Sequence, residues 1–220
     1  MSLYKNFVMD TLECLRTRRS VRKFKDRSIP FELIGNILES ARLAPSAGNV
    51  QEWKFILVTD FKAREDIAVA ACMQTWMIDA PVFIVACSDP NKAERMYGAK
   101  GENLYCIQNS AAAIENMLLS IHAQGLGSCW VGACDEDKIK TILNIPGNIK
   151  VMGIVPVGYP AEEPLMPDKY PLTDIVFIEK WGNRIKDIAA YMGYYGEHIR
   201  RAAEKGKEMF HKLASKSKKS

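Results

Sequence analysis

The chain lacks the features that would place it across a membrane, in an oxidising compartment or around a metal ion. No apolar run reaches the ~18 residues that a membrane-spanning helix needs. Residues 1–10 include Lys5 and Asp10 and contain no signal-peptide core, so we expect a cytoplasmic protein with no membrane partner. The six cysteines form no C-x-x-C pair and the three histidines are scattered, which gives no zinc-ligand spacing. We therefore expect reduced thiols, several of them buried in apolar runs.

The length and composition are those of a globular domain. The chain has 220 residues, of which 48% are hydrophobic and 25% charged. This composition excludes a largely disordered chain, a collagen-like fibre and a small disulfide scaffold. One large domain is the simplest expectation for this length.

The positive charge is concentrated at the C-terminal end. Residues 184–220 carry ten Lys or Arg against four Asp or Glu, whereas residues 1–183 carry 20 basic and 22 acidic side chains. Apolar residues also recur at helical spacing from Arg184 to about Leu213. We therefore predict a domain over residues 1–183, followed by a basic helical extension over residues 184–220.

The hydrophobic pattern predicts an α+β fold, a small central sheet wrapped by helices. Short continuous apolar runs indicate buried strands. Helices are indicated by apolar residues three and four positions apart, with Pro30 and Asp135 at helix starts and Gly125 at a helix end. The strands are predicted at 55–58, 82–87, 151–157 and 175–178. Four helices are predicted: one that ends near Arg16, one that begins at Pro30, one that covers 102–123 and one that begins after Asp135. The helix over 102–123 is apolar on most sides, so we expect it to be buried at the centre.

The first candidate site is a basic cluster after the first helix. Arg18, Arg19, Ser20 and Arg22 lie within five residues. In an extended segment Arg18, Ser20 and Arg22 point to one side, where guanidinium groups and a hydroxyl suit a phosphate. A solvated loop would have the same composition.

Two further segments are rich in small residues. Residues 44–53 contain Pro45, Ser46, Ala47 and Asn49, which suit either a ligand loop or a plain helix-to-strand turn. Residues 125–132 contain G-x-G, but this pair follows a helix and Trp130 stands at the third glycine position, which excludes a Rossmann fingerprint.

Taken in order and spacing, these three segments resemble the nitroreductase family. The resemblance runs from about Thr11 to Trp181, most of the chain. It implies a homodimeric α+β fold with flavin mononucleotide (FMN) bound at the dimer interface.

The resemblance also implies roles for individual residues. Arg18, Ser20 and Arg22 would hold the phosphate and the polar edge of the flavin, with Arg19 nearby. Lys169 resembles a late basic residue of the family that meets the phosphate.

The remaining implied contacts come from both subunits. The partner subunit would supply its own copies of Pro45, Ser46, Ala47 and Asn49. Val131 and Gly132 would lie against the ring through their backbone. Some members contact the flavin through an Asn and a Lys before the second strand. In this chain Gln74 is the only amide in that stretch and is the candidate for this contact.

The implied activity is that of an oxidoreductase. A hydride would pass from NADH or NADPH through the flavin to an electron-poor acceptor, such as a nitroaromatic or a quinone, by a ping-pong mechanism. The motifs contain no side chain that we assign as a general acid, and no catalytic residue is predicted beyond the cofactor contacts.

Two other classes of function remain open at this point. A flavin carrier or sensor with little turnover would use the same three segments. Alternatively, the basic tail could bind nucleic acid or another acidic surface, although its interrupting glutamates and few aromatic residues make this the less favoured reading.

Overall fold

The structure is a computed structural model, and it describes residues 9–185. The predicted helix 184–213 lies almost entirely outside these residues. By contact density the chain divides into two compact units, Met1–Met166 and Pro167–Ser220. The predicted division after residue 183 stays a prediction.

The first unit contains four strands and six helices among its described residues. The strands are β1 (Trp53–Val58), β2 (Val82–Ser88), β3 (Gly127–Ser128) and β4 (Lys150–Gly158). The helices are α1 (Thr11–Thr17), α2 (Phe31–Arg42), α3 (Phe61–Ala70), α4 (Pro90–Tyr97), α5 (Cys106–Ala123) and α6 (Glu136–Leu143), and a π-helical turn at Gly101–Tyr105 leads into α5.

Aspartates begin several of these helices. Asp10 Oδ1 accepts the amides of Leu12 and Glu13 at 3.0 and 3.3 Å, which caps α1. Asp135 caps α6 in the same way, through the amide of Lys138 at 3.1 Å, as predicted. These caps satisfy amides that have no partner within the helix.

The sheet is antiparallel throughout, in the order β1-β2-β4-β3. Every residue of β2 is buried, because helices cover both faces of the sheet. Phe83 and Val85 contribute to the core that contains α3 residues, whereas Ile84 and Ala86 contribute to the core that contains α2 and α5 residues. The α+β prediction is confirmed.

Helix α5 is the central helix that its composition predicts. Ala113, Ile114, Met117 and Ile121 are fully buried against the sheet and α2. Gly125 follows the helix with φ of +73°, and its amide donates to the His122 carbonyl at 2.9 Å. This left-handed residue ends the helix and turns the chain into β3.

The predicted strand at 175–178 is wrong. In the second unit, Leu172–Ile175 form one helical turn, α7, which the amide of Val176 closes by donating to the Leu172 carbonyl at 2.9 Å. Only Phe177 makes a β-bridge, to Arg184. Pro171 precedes the turn with φ of −64°, a geometry that suits a helix start and outweighs the short apolar run.

Candidate flavin site

The basic cluster lies on an extended segment that borders the sheet. Ser20 forms a parallel bridge with Ser128 of β3, and the amide of Val21 donates to the Ser128 carbonyl at 2.9 Å. The Val21 side chain is buried, so Ser20 and Arg22 share the opposite side of the segment. Gly127 permits this approach, since a Cβ there would lie 3.0 Å from the Val21 side chain.

The three arginines of this cluster have different surroundings. Arg18 Nε lies 3.8 Å from Glu115 Oε1 in a partly exposed ion pair. Such a pair is worth at most about 1 kcal/mol, so an anion can replace it at little cost. Arg19 Nη1 donates to the backbone carbonyls of Arg16 and Arg18, both at 2.7 Å, which commits part of its guanidinium to the fold.

The Arg22 guanidinium lies over the ring of Trp76, 5.8 Å from its centroid. The Trp76 ring stacks on Phe24, with the ring centroids 6.5 Å apart. The amide of Arg22 donates to Glu162 Oε1 at 2.6 Å. These contacts bring the turn before β2 and the segment after β4 to the basic cluster.

Gln74 connects the same turn to the segment after β3. Its Nε2 donates to the Ala71 carbonyl at 3.0 Å and to the Ala133 carbonyl at 3.4 Å. Because the side-chain nitrogen is used in this way, Oε1 is the atom that Gln74 can offer to a ligand as an acceptor.

Val131 and Gly132 differ in what they can offer. The Val131 amide and carbonyl both bond to Ile154, at 2.9 and 2.8 Å, and the side chain is buried. Gly132 is exposed, with open space where a Cβ would be. At this position, therefore, the Gly132 backbone is the part that a planar ligand can approach.

The loop after α2 is built around a buried carboxylate. Asn109 of α5 accepts the amide of Ala47 at 2.9 Å and donates from Nδ2 to both oxygens of Glu52, at 2.9 and 3.1 Å. Glu52 is fully buried. The amide of Gln51 donates to Ser46 Oγ at 3.2 Å, so the hydroxyl of this predicted site residue helps to shape the loop.

Three residues of this loop have left-handed backbone angles. The φ values are +53° at Gly48, +56° at Asn49 and +50° at Gln51. Asn49 is a residue type that tolerates this conformation, and its Oδ1 accepts from Gln51 Nε2 at 2.8 Å. These hydrogen bonds and backbone angles hold the loop in a defined shape.

The predicted site residues thus fall into three groups, according to the contacts that hold them. Direct contacts link the segments that carry Arg18, Ser20, Arg22, Gln74, Val131 and Gly132. The loop that carries Pro45, Ser46, Ala47 and Asn49 is anchored instead to Asn109 of α5, through the amide of Ala47. Lys169 belongs to the second unit and is exposed.

Sequence reasoning missed several residues that shape these segments. Glu52, Asn109 and Glu115 form the contacts described above, and Glu162 receives the Arg22 amide. A glutamate directly before a buried strand was the available signal for Glu52. No signal in the sequence connects residue 22 with residue 162.

Comparison with known proteins tests the family resemblance directly. The model of the nitroreductase family matches this chain over residues 15–76 and 68–159. The chain belongs to the nitroreductase family. It is therefore an oxidoreductase of the NAD(P)H nitroreductase and FMN reductase type.

Individual relatives of this nitroreductase agree with that assignment. A protein of Methanothermobacter thermautotrophicus, whose name joins NADH dehydrogenase and NAD(P)H nitroreductase, is 37% identical over 177 residues, 79% of this chain and 88% of that protein. An FMN reductase (NADPH) of Bacillus subtilis is 27% identical over 69% of this chain and 66% of its own length. The solved structure of a nitroreductase family protein from Clostridium novyi NT has a TM-score of 0.65 at 30% identity, covering 80% of this chain and 97% of that one.

The structure also shows the cysteines and the groups of possible metal ligands among the described residues. All six cysteines are free, and four of them, Cys14, Cys87, Cys106 and Cys129, are buried. Within residues 9–185, no cluster of three or more His, Cys, Asp or Glu side chains could hold a metal ion. Over the same range no helix has the length and hydropathy needed to cross a bilayer.

Proposed function

We propose that this nitroreductase binds FMN at the segment Arg18–Arg22 and uses NADH or NADPH to reduce an electron-poor small molecule. The observation that carries the proposal is the convergence of three separate segments, through the Ser20–Ser128 bridge, the Arg22–Trp76 contact and the Gln74–Ala133 hydrogen bond.

The donor groups on these segments fit the chemistry of FMN. Between them, Arg18 and Arg22 provide charge-assisted donors for the phosphate and for the polar edge of the ring, and Ser20 adds a hydroxyl. Gln74 Oε1 provides an acceptor and Gly132 an open backbone surface for a ring edge and face. When bound, the flavin supplies the hydride chemistry, and the protein binds and orients it.

The positive charge of the arginines is the main electrostatic contribution that the protein would make to the flavin ring. A guanidinium group near a ring that gains electrons stabilises the negative charge that develops there. Arg22 is the candidate for this role, because its guanidinium is exposed above Trp76 rather than committed to a backbone carbonyl.

We further propose that a second copy of the chain completes the site. The loop Pro45–Asn49 is shaped by Asn109 and Glu52, at a different part of the chain from the basic cluster, and the family resemblance assigns this loop to the partner's flavin. Helices α1, α2 and α5 also border a cavity of about 430 Å³ that includes Leu43 and Leu119. The exposed Leu12, Leu15 and Leu43 nearby would be covered in a homodimer.

The direct test replaces the two arginines proposed to contact FMN one at a time. Loss of a charge-assisted hydrogen bond should weaken FMN binding by about 1.5–3 kcal/mol for either Arg18→Ala or Arg22→Ala. This corresponds to a roughly ten- to hundredfold higher dissociation constant, measured by flavin fluorescence titration. Lys23→Ala is the matched control, because Lys23 is an exposed cation on the same segment.

An unchanged dissociation constant in both arginine variants would contradict the assignment of these arginines to the flavin site. Steady-state kinetics tests the mechanism separately. If the nicotinamide donor and the acceptor occupy one pocket in turn, double-reciprocal plots give parallel lines, whereas intersecting lines would contradict this order. Slow oxidation of NADH and NADPH with every acceptor tried would favour a carrier or sensor.

A further inference from the structure

Two cysteines flank the segments that carry Gln74 and Gly132. Cys72 is exposed and lies just after α3, and Cys134 is half-buried and lies just before α6. Both belong to the first unit, and neither has a role in the site proposed above. The other four cysteines are buried in the fold.

Two hydrogen bonds hold the cysteine segments side by side. The amide of Asp135 donates to the Ala70 carbonyl at 2.8 Å, and Gln74 Nε2 donates to the Ala133 carbonyl at 3.4 Å. Cys72 lies between Ala70 and Gln74 in the chain, and Cys134 lies between Ala133 and Asp135. The two cysteines therefore lie on neighbouring segments that one hydrogen bond joins on each side of them.

The surroundings of the thiols support their proximity. Burial raises the pKa of the Cys134 thiol, and Glu136, Cys72 and Asp135 raise it further. Cys72 and Met73 have φ values of +56° and +59°, so the chain reverses tightly at this point.

We propose that Cys72 and Cys134 form a reversible disulfide, and that its formation weakens flavin binding. The second part rests on the proposed function, since Gln74 and Gly132 are neighbours of the two thiols. To bond with Cys134, the exposed Cys72 must turn inward. This movement would pull on the turn that presents Gln74.

The oxidant is a low-molecular-weight disulfide, and the electrons balance by thiol–disulfide exchange. The Cys72 thiolate attacks one sulfur of the oxidant, the sulfur–sulfur bond breaks, and one small thiol leaves. Cys134, after losing its proton, then attacks the Cys72 sulfur of the mixed disulfide and releases the second small thiol. The two protein thiols are oxidised by two electrons, and one small disulfide is reduced to two thiols.

The test treats the purified full-length protein with oxidised glutathione and measures the intact mass and the disulfide-linked peptides. We expect the wild type to lose two hydrogen atoms and to retain no glutathione, with the link between the peptides of Cys72 and Cys134. Cys134→Ser should retain one glutathione on Cys72, because no second thiol resolves it. Cys72→Ser should form no link.

A wild type that keeps a stable glutathione on Cys72, or that keeps both thiols reduced, would overturn the pairing. FMN affinity is measured separately on the reduced and the oxidised protein. We expect about a fivefold higher dissociation constant after oxidation, the equivalent of one lost hydrogen bond, and no such change in Cys72→Ser. If the link forms and the affinity is unchanged, the effect on flavin is wrong. If neither form binds FMN, the effect on flavin and the proposed function both fail, while the mass result still decides the pairing.

Discussion

The buried pair of Glu52 and Asn109 gives the sharpest prediction about the loop Pro45–Asn49. Asn109 donates to both carboxylate oxygens of Glu52 and accepts the amide of Ala47. Replacing Asn109 with Ala removes all three hydrogen bonds. It leaves a carboxylate in the interior without these donors, and the loop loses its connection to α5.

The size of the effect follows from these contacts. Leaving a buried charged group unpaired costs about 3 kcal/mol, and the lost Ala47 contact adds about 1 kcal/mol. For a chain of this length, about 4 kcal/mol lowers the melting temperature by roughly 10 °C. Glu52→Gln keeps the shape and one acceptor, so its cost should be near 1 kcal/mol.

The assay is urea unfolding of the two single variants and the double variant, followed by circular dichroism. Removing the charge of Glu52 first takes away most of the penalty for losing Asn109, so the double variant should be at least about 1 kcal/mol more stable than the sum of the two single effects predicts. Strict additivity, or a cost below about 1 kcal/mol for Asn109→Ala, would refute this account of the loop.

Three further predictions concern a histidine, a glycine and the surface of α1. Burial, followed by the charges of two nearby arginines, lowers the pKa of His122 from 6.5, so the unfolded chain binds more protons. The free energy of unfolding should therefore fall as pH drops below 6.5, and in urea unfolding His122→Asn should show a weaker fall. A variant with the same pH dependence as the wild type would contradict this role of His122. Gly101→Ala places a Cβ against the backbone carbonyl of Ala93 and should lower the free energy of unfolding by about 1–3 kcal/mol, measured in urea. Gly35→Ala is the control, because Gly35 lies on an open helix face, and it should raise the free energy of unfolding by about 0.5–1 kcal/mol. Equal effects of the two substitutions would contradict the close packing at Gly101. Leu15→Asp should convert a dimer to a monomer in sedimentation velocity, and a dimer of unchanged affinity would remove α1 from the proposed interface.

The sequence was most informative where local chemistry decides local structure. Continuous apolar runs gave β1, β2 and β4, and Asp135 gave the start of α6, because burial and capping leave direct traces in residue order. Helices α3 and α4 were not predicted. Helix α3 has little apolar periodicity, and α4 is a short helix of eight mostly polar residues. The two-residue strand β3 is too short to have any periodicity.

The candidate site was predictable only in part. The basic cluster and the glycine-rich segment could be named from the sequence, and the structure brings them together through Ser20 and Ser128. The contacts of Arg22 with Trp76 and Glu162 join residues far apart in the chain, which no local pattern encodes. The apolar run at Val176 misled the prediction, because Pro171 and the turn after it determine the local backbone.

Bound flavin is the central requirement of the proposed function. The most direct measurement is the visible absorption spectrum of the purified protein, with the chromophore identified after denaturation. We predict a yellow protein that releases FMN at close to one molecule per chain. A colourless protein that also fails to take up added FMN would contradict it.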